Sequence, residues 1–279
     1  MDVVQIWRYP VKSFIGGVVD EVALDDKGIV GDRVWAIRDH ERGGIRGAKK
    51  IPELMQFSAE YLGDGSRHAR LTFPDGSTAL TSDEGVHERL SSVLGRRVTI
   101  ESLPTDGNLE HFVRGPADAA DPVSELRNVF GRTEDEPLPN FAAFPPEVMT
   151  YESPPGTHHD CWPLMIMTTQ ALDALAVALP GSTVDVRRFR PSVVVDAGGG
   201  PGHPEFQWKG RTAQLGGATV EFLDPCPRCV MVTRRINEGV QEDRAVLRHI
   251  VRDLDQNVGV YARVTSPGPV RTGDVLEFL

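Results

Sequence analysis

In the stretch "EFLDPCPRCVMVTRR", Cys226 and Cys229 stand three residues apart with Arg228 between them, and no other side chains here are so readily matched to chemistry by type and spacing. A thiolate is a nucleophile, a redox partner or a ligand for a soft metal, and a neighbouring guanidinium favours its charged form. A thioredoxin-like dithiol needs Cys-x-x-Cys at a helix start, whereas "VMVTRRI" after Cys229 reads as a β-rich run. Zinc needs four closed ligands at set spacing. The remaining cysteine is Cys161, and His158 and His159 are adjacent rather than three to five apart. A standard iron–sulfur cluster lacks its ligands as well. Three readings stay open: an inert buried pair, an activated nucleophile, or one thiolate completing the coordination of a metal that arrives on a sulfur-bearing cofactor.

The positive charges fit an anionic partner of that kind. With 279 residues and a formal net charge of −10, the chain is a poor match for nonspecific nucleic-acid binding, which rests on phosphate neutralisation by Lys and Arg. Yet Lys12 in "YPVKS", Arg33 in "GDRVW", Lys49 in "RGAKKIP", Arg188 and Arg190 in "VRRFRPSVVV" and Arg228 all flank strand-like apolar segments. In an acidic protein that pattern points to a local anion site. The ordinary fate of each alone is a solvated surface charge. Sparse, odd-numbered cysteine and an N-terminus that enters a strand at once imply a reducing cytoplasm, no export signal and no membrane span.

The elements that must position these residues are mainly strands. Short runs of period two ("VVQIWRY", "VDEVAL", "RVWAIRD", "FSAEYL", "ARLTF", "RRVTIES") fill the first hundred residues, with a hairpin tip at Asp75-Gly76. One helix interrupts them in "TSDEGVHERLSSVLG", with Thr81 and Glu84 as a capping box and Gly95 as its stop. Residues 103–163 are rich in Pro, Asp, Glu and Gly and hold one helical candidate, "PVSELRNVFG". Such a stretch is a linker or part of a binding surface. Beyond it "PLMIMTT", "PSVVVD", the Gly-Gly hairpin "TAQLGGATVEFL", "CVMVTRRI", "VGVYARV" and "RTGDVLEFL" read as strands. "TQALDALAVAL", capped at Thr169, and "EDRAVLRHIVRDLDQ" read as helices. The fold class is α+β, mainly β, in two domains divided at 115/116.

Taken together and in order, "YPVKS", "GIVGDRVWAI", "RFRPSVVVD", "DPCPRC" and "PGPVRTGDVLEFL" resemble the MOSC superfamily with its N-terminal MOSC β-barrel domain. The layout is similar to the mitochondrial amidoxime-reducing component and its bacterial relatives. The resemblance implies a β-barrel-like domain over residues 1–115 and a MOSC β-barrel with peripheral helices over 116–279. It also implies a molybdenum cofactor, a pterin dithiolene with a terminal phosphate, whose metal takes Cys229 as a protein ligand. Cys226 would stand behind that ligand. Lys12, Ser13, Arg33 and Arg190 would surround the phosphate and pterin, with Lys49, Thr168, Arg188, Arg228 and Tyr261 as further candidates. Arg suits a phosphate because its planar fork bonds two oxygens at once. Ser192, a further cofactor-binding candidate, stands where the amidoxime-reducing relatives carry Asn, so cofactor binding transfers more safely than substrate preference.

The implied activity is reduction of N-oxygenated, N-hydroxylated small molecules. Electrons would come from an external ferredoxin-like or flavin partner, since the chain shows no flavin, haem or iron–sulfur motif of its own and no ferredoxin-like segment after its final strand. Two other classes remain: a carrier that binds cofactor or sulfur without turnover, and a thiol oxidoreductase using Cys226 and Cys229. The loop holding His158, His159 and Asp160 could face the site, although paired histidines in such loops are ordinarily solvated.

Overall fold

The computed structural model describes residues 1–63 and 65–279. The first half contributes β1 (Asp2–Arg8), β2 (Gly17–Val19), β3 (Glu21–Asp25), β4 (Gly28–Ile29), β5 (Trp35–Asp39), β6 (Ser58–Tyr61), β7 (Ala69–Thr72), β8 (Thr78–Leu80), α1 (Val86–Leu94) and β9 (Val98–Ser102). After α2 (Pro122–Phe130) come β10 (Leu164–Thr168), α3 (Thr169–Ala178), β11 (Val193–Asp196), β12 (Thr212–Leu215), β13 (Ala218–Pro227), α4 (Arg244–Asp253), β14 (Asn257–Ser266), β15 (Gly268–Arg271) and β16 (Leu276–Phe278). The α+β, mainly β class holds.

One eight-stranded sheet runs β16-β12-β13-β14-β10-β11-β1-β2, so the first two strands of the chain complete a sheet otherwise built from its second half. The start of β1 meets the approach to β16 through an Asp2–Val275 bridge and backbone hydrogen bonds such as Val3 N–H to the Asp274 carbonyl at 2.8 Å, and among the described residues no ladder closes the sheet into a barrel. The C-terminal β15 returns the exchange by pairing with β3. Smaller sheets, β5-β9 and β6-β7-β8, enclose the first-half core around Phe14, Ile37, Phe57 and Leu90. A second core lies inside the large sheet, and a third, around Met167, Phe189 and Ile250, lies under α3 and α4.

Period two located most strands because one face of each packs on a core. The Asp75-Gly76 tip joins β7 to β8, with Gly76 at φ 82°. Gly95, at φ 63°, stops α1. Three local expectations fail. Thr81 does not cap α1: its hydroxyl is buried and accepts from the Ala69 amide, and the helix starts after Gly85 without a side-chain cap. The cap of α3 is Thr168, one residue before the expected Thr169, accepting from the Ala171 amide. "CVMVTRRI" is a 3₁₀ turn, Val230–Thr233, and not a strand. Met231, Val232 and Thr233 are all buried there, and a short run buried on every side carries no period.

The loop after β1 bears Lys12 and Ser13 and is held by a close backbone crossing. A Cβ added at Gly16 would lie 2.1 Å from the Arg8 carbonyl oxygen. Gly16→Ala should therefore lower stability by about 1–3 kcal/mol through forced backbone displacement. Chemical denaturation checks this, and an unchanged midpoint would contradict the crossing.

Candidate functional site

The two cysteines sit where β13 loses its register. Pro225 and Pro227 lack an N–H, and the pairing of β13 with β14 shifts on either side of Pro225. Cys226 faces the third core, among Met165 and Phe189, while half-buried Cys229 packs against the first-half core. The pair straddles the junction of the two halves. Arg228 Nη1 donates to Cys226 Sγ at 3.0 Å. Cys226 is thus held by Arg228, and Cys229 faces open space.

A cleft of about 110 Å³ collects most of the expected residues: Lys12, Ser13, Arg33, Arg190, Arg228 and Cys229 line it, as do Arg188, Ser192 and Tyr261. Its backbone is strained. Of the five non-glycine residues at positive φ among those described, three are Ser13 (69°), Arg33 (49°) and Arg190 (57°). A fourth, Gln256 (71°), accepts the Arg228 amide through its carbonyl. Each left-handed residue costs roughly 1–2 kcal/mol, and such strain gathers at functional sites.

Tyr9, next to the "VKS" segment, is the post around which the arginines assemble. Arg190 lies 4.2 Å and Arg33 4.9 Å from its ring centre. Its hydroxyl donates to the Pro191 carbonyl at 3.0 Å, and burial holds its proton firmly. Arg33 is paired with buried Asp32, which also accepts from the Tyr9 amide at 2.6 Å. Arg190 donates one nitrogen to the Phe14 carbonyl, and burial together with the Arg33 charge pushes its pKa down to about 10.

Across the cleft, Lys12 and Lys49 share Asp160, the latter at 3.0 Å. Burial opposes the Asp160 charge, but the two ammoniums outweigh it and hold the carboxyl well below the usual range. Lys49 is held above its ordinary value, burial being outweighed by Asp160 and Cys229. Burial pulls Lys12 below its ordinary value, since one carboxylate cannot serve two ammoniums equally. Some 38% of the Asp160 side chain is exposed, and Asp160 lines the cleft.

Two expected residues have other duties. Thr168 does not line the cleft: its hydroxyl caps α3 and donates to Glu205 at 2.8 Å. Arg188 reaches the lining, but its nitrogens donate to the carbonyls of Thr183, Val232, Arg234 and Gln241, which makes it a clamp on the turn after Cys229. Ser192 accepts from the Met165 amide at 3.3 Å. Residue-by-residue reading missed Tyr9, Asp32 and Cys161. The first two adjoin Lys12 and Arg33 in the quoted motifs, which was the available signal; nothing local marks Cys161.

His158 and His159 are buried rather than solvated. Arg38 Nη2 lies 3.2 Å from His111 Nδ1, His111 Nε2 lies 2.9 Å from His158 Nε2, and His158 Nδ1 lies 3.0 Å from the Arg33 carbonyl. An arginine only donates and a carbonyl only accepts, so one pattern satisfies all three contacts: His158 donates to Arg33, and His111 donates to His158. Both rings are neutral. Burial and then Lys12 push His158 down to about 3, and burial and Arg38 lower His111. The chain of rings anchors the left-handed Arg33.

Cofactor fit can be judged from the donors. Among the described residues no group of three or more His, Cys, Asp and Glu could hold a metal alone, so a metal beside Cys229 must bring ligands of its own. Arg190 Nη2 and Arg228 Nε are buried without an acceptor. Of Lys12, Lys49, Arg33, Arg190 and Arg228, only the first three form ion pairs among those residues, with two carboxylates, Asp32 and Asp160. Charges on Lys49, Arg132, Arg228 and Arg234 also act on Cys229. The arrangement suits an anionic, sulfur-bearing metal cofactor.

Family models agree with that chemistry. The MOSC N-terminal beta barrel domain matches residues 1–110 and the MOSC domain matches 155–277. The chain belongs to the MOSC family, whose domain is known to bind molybdenum cofactor. Among solved structures it is similar to the YuaD protein from Bacillus subtilis, at 13% identity and TM-score 0.44, over 99% of this chain and 94% of that one. It is also similar to YiiM from Geobacillus stearothermophilus, at 15% identity and TM-score 0.32, over 42% of this chain and 54% of that one. No curated protein matches. Among the described residues no helix is long and apolar enough to cross a membrane.

The buried histidines make a pH prediction. A histidine whose folded pKa is depressed takes up its proton in the unfolded chain first, so stability falls as pH drops below about 6.5 and goes on falling toward the folded value. For His158 alone, going from pH 6.5 to 5 should cost about 2 kcal/mol. His158→Gln should be less stable at pH 7.5 yet show a shallower loss across that window. Urea denaturation at both pH values is the check, and an equally steep variant would refute the buried neutral pair.

Proposed function

We propose that the chain binds a molybdenum cofactor with Cys229 as its protein ligand and reduces N-oxygenated small molecules with electrons from an external ferredoxin-like or flavin donor. One observation carries the proposal: half-buried Cys229 faces both the cation-lined cleft and a separate apolar cavity. A carrier needs only the grip on the cofactor; a catalyst also needs room for substrate beside the metal.

When bound, the cofactor would supply two-electron oxygen-atom chemistry at a metal that Cys229 would help hold. The net conversion is R–NH–OH plus two electrons and two protons to R–NH2 and water: the N–O bond breaks, nitrogen gains hydrogen and oxygen leaves as water. The chain's own residues set the conditions. Arg190 and Arg33, stacked on Tyr9, offer donors to the cofactor phosphate from the second half and the first. Lys12 and Ser13 line the same cleft. Arg228 holds Cys226 and, with Lys49 and Arg132, compensates the charge of a ligated Cys229. Lys12 and Lys49 hold protons at the Asp160 carboxylate beside that ligand. Lys12, with its lowered pKa, is the readier donor. Free Cys161, Cys226 and Cys229 support a reducing compartment.

Cys229→Ser should keep the fold, weaken metal retention and abolish reduction of a hydroxylamine by a chemically reduced dye, a loss beyond ~100-fold. Cys226→Ser should cost ~10–100-fold, as expected of a group behind a metal ligand. Metal analysis and the dye assay on both variants decide. Full activity in Cys229→Ser sinks the mechanism; stoichiometric cofactor without turnover in the wild type assigns a carrier; a reversible Cys226–Cys229 disulfide assigns thiol chemistry.

A further inference from the structure

Beside the cleft lies a second cavity of about 510 Å³, within the range of pockets that enclose small molecules. The two share Asp160, Cys161, Pro227, Cys229 and Tyr261, so the cavity ends at the sulfur proposed to hold the metal. Its far wall is different in kind. Leu126 and Val129 come from α2, Phe141 and Val148 from the two 3₁₀ turns that follow, and Phe144 from the link between those turns. Phe130, Phe141 and Phe144 pack edge to face, with ring centres 5.7 Å and 5.6 Å apart. Phe141 and Phe144 stay only half-buried. An aromatic cluster left part-open toward a cavity offers apolar contact area to a ligand.

The charges around this wall are already engaged. Lys50 pairs with Glu125, and Arg114 pairs with Glu152 at 2.8 Å and donates to the Val148 and Tyr151 carbonyls. The wall therefore recognises shape and apolar surface, and the polar contacts lie at the Cys229 end. These wall residues also fall between the segments that the two family models match, 1–110 and 155–277. The candidate cofactor residues lie in the matched parts.

We propose that this cavity holds the uncharged aryl or alkyl body of the substrate, with its N–O head at the Cys229 end, and that α2 and the turns after it set which substrates are taken. The inference rests on the reductase reading for what happens at the head. Recognition of the body stands on the cavity alone.

The test uses the cofactor-free protein and a series of N-alkylhydroxylamines from methyl to hexyl, titrated by calorimetry. Affinity should rise about fourfold for each methylene buried. Leu126→Trp, which fills the cavity, and Phe144→Ala, which opens its wall, should each flatten that gradient. A readout that needs no variant is the Met149 methyl resonance, because Met149 also lines the cavity; it should shift with the longer probes. A flat series in the wild type overturns the inference, as does a gradient that persists in both folded variants, or shifts confined to other methionines. Failure of the chemistry is separable. A gradient with no turnover in the loaded protein keeps the cavity and discards the reductase, and turnover with a flat gradient in both affinity and KM does the reverse.

Discussion

Two guanidinium groups stacked on one buried tyrosine ring are the constraint around which this molecule is built. Arg33 and Arg190 carry like charges, come from opposite halves of the chain and meet over Tyr9. Burying them there is unfavourable without compensation. Asp32 neutralises one, and the ring face and the Phe14 carbonyl support the other. Left-handed backbone at both arginines turns their side chains to that ring, and it persists because the surroundings over-determine it: the His111–His158 chain holds the Arg33 carbonyl, and the Tyr9 hydroxyl holds Pro191. Positive potential without matching carboxylates is a standing cost to stability, and recovering that cost requires an anion.

Interleaving of the sheets explains how the halves hold such a site rigidly. The first two strands close one end of the large sheet, and β15 joins β3. A hinge between separately folded halves would let the arginines drift apart under their own repulsion; shared sheets prevent it. The irregular end of β13 then divides labour between the cysteines. Cys226 is bonded by Arg228 and buried in one core, while Cys229, three residues on, lies past the end of β13 and reaches the junction. Spacing alone suggests a matched pair, and their surroundings make them unlike.

Much of the fold was legible because most strands are half-buried, so apolar and polar residues alternate along them. Gly95, Gly76 and the Gly216-Gly217 hairpin were legible because left-handed backbone at a turn selects glycine. The turn after Cys229 was misread because "VMV" is buried on all sides and carries no period. The caps expected at Thr81 and Thr169 fall elsewhere because a threonine hydroxyl serves whichever amide the fold presents, and the Thr168 hydroxyl, a cofactor contact by resemblance alone, is engaged as the cap of α3. His158 and His159 read as solvated loop residues; the burial of His158 depends on His111, 47 residues away, and on the Arg33 carbonyl, 125 residues away.

What the sequence by itself determined was local: which segments form strands and helices, where glycine ends them, and which motifs carry Lys12, Ser13, Arg33, Arg190 and Cys229. Those follow from interactions between near neighbours, whose period and backbone preference are written in residue order. The tertiary structure alone decided that these cations converge, that Tyr9 and Asp160 are their partners, that Arg188 is a clamp, and that Cys229 opens onto an apolar cavity while Cys226 does not. Each of those is a contact between segments tens to hundreds of residues apart, set by the order in which strands join a sheet, and burial and charge take their values only once that order exists.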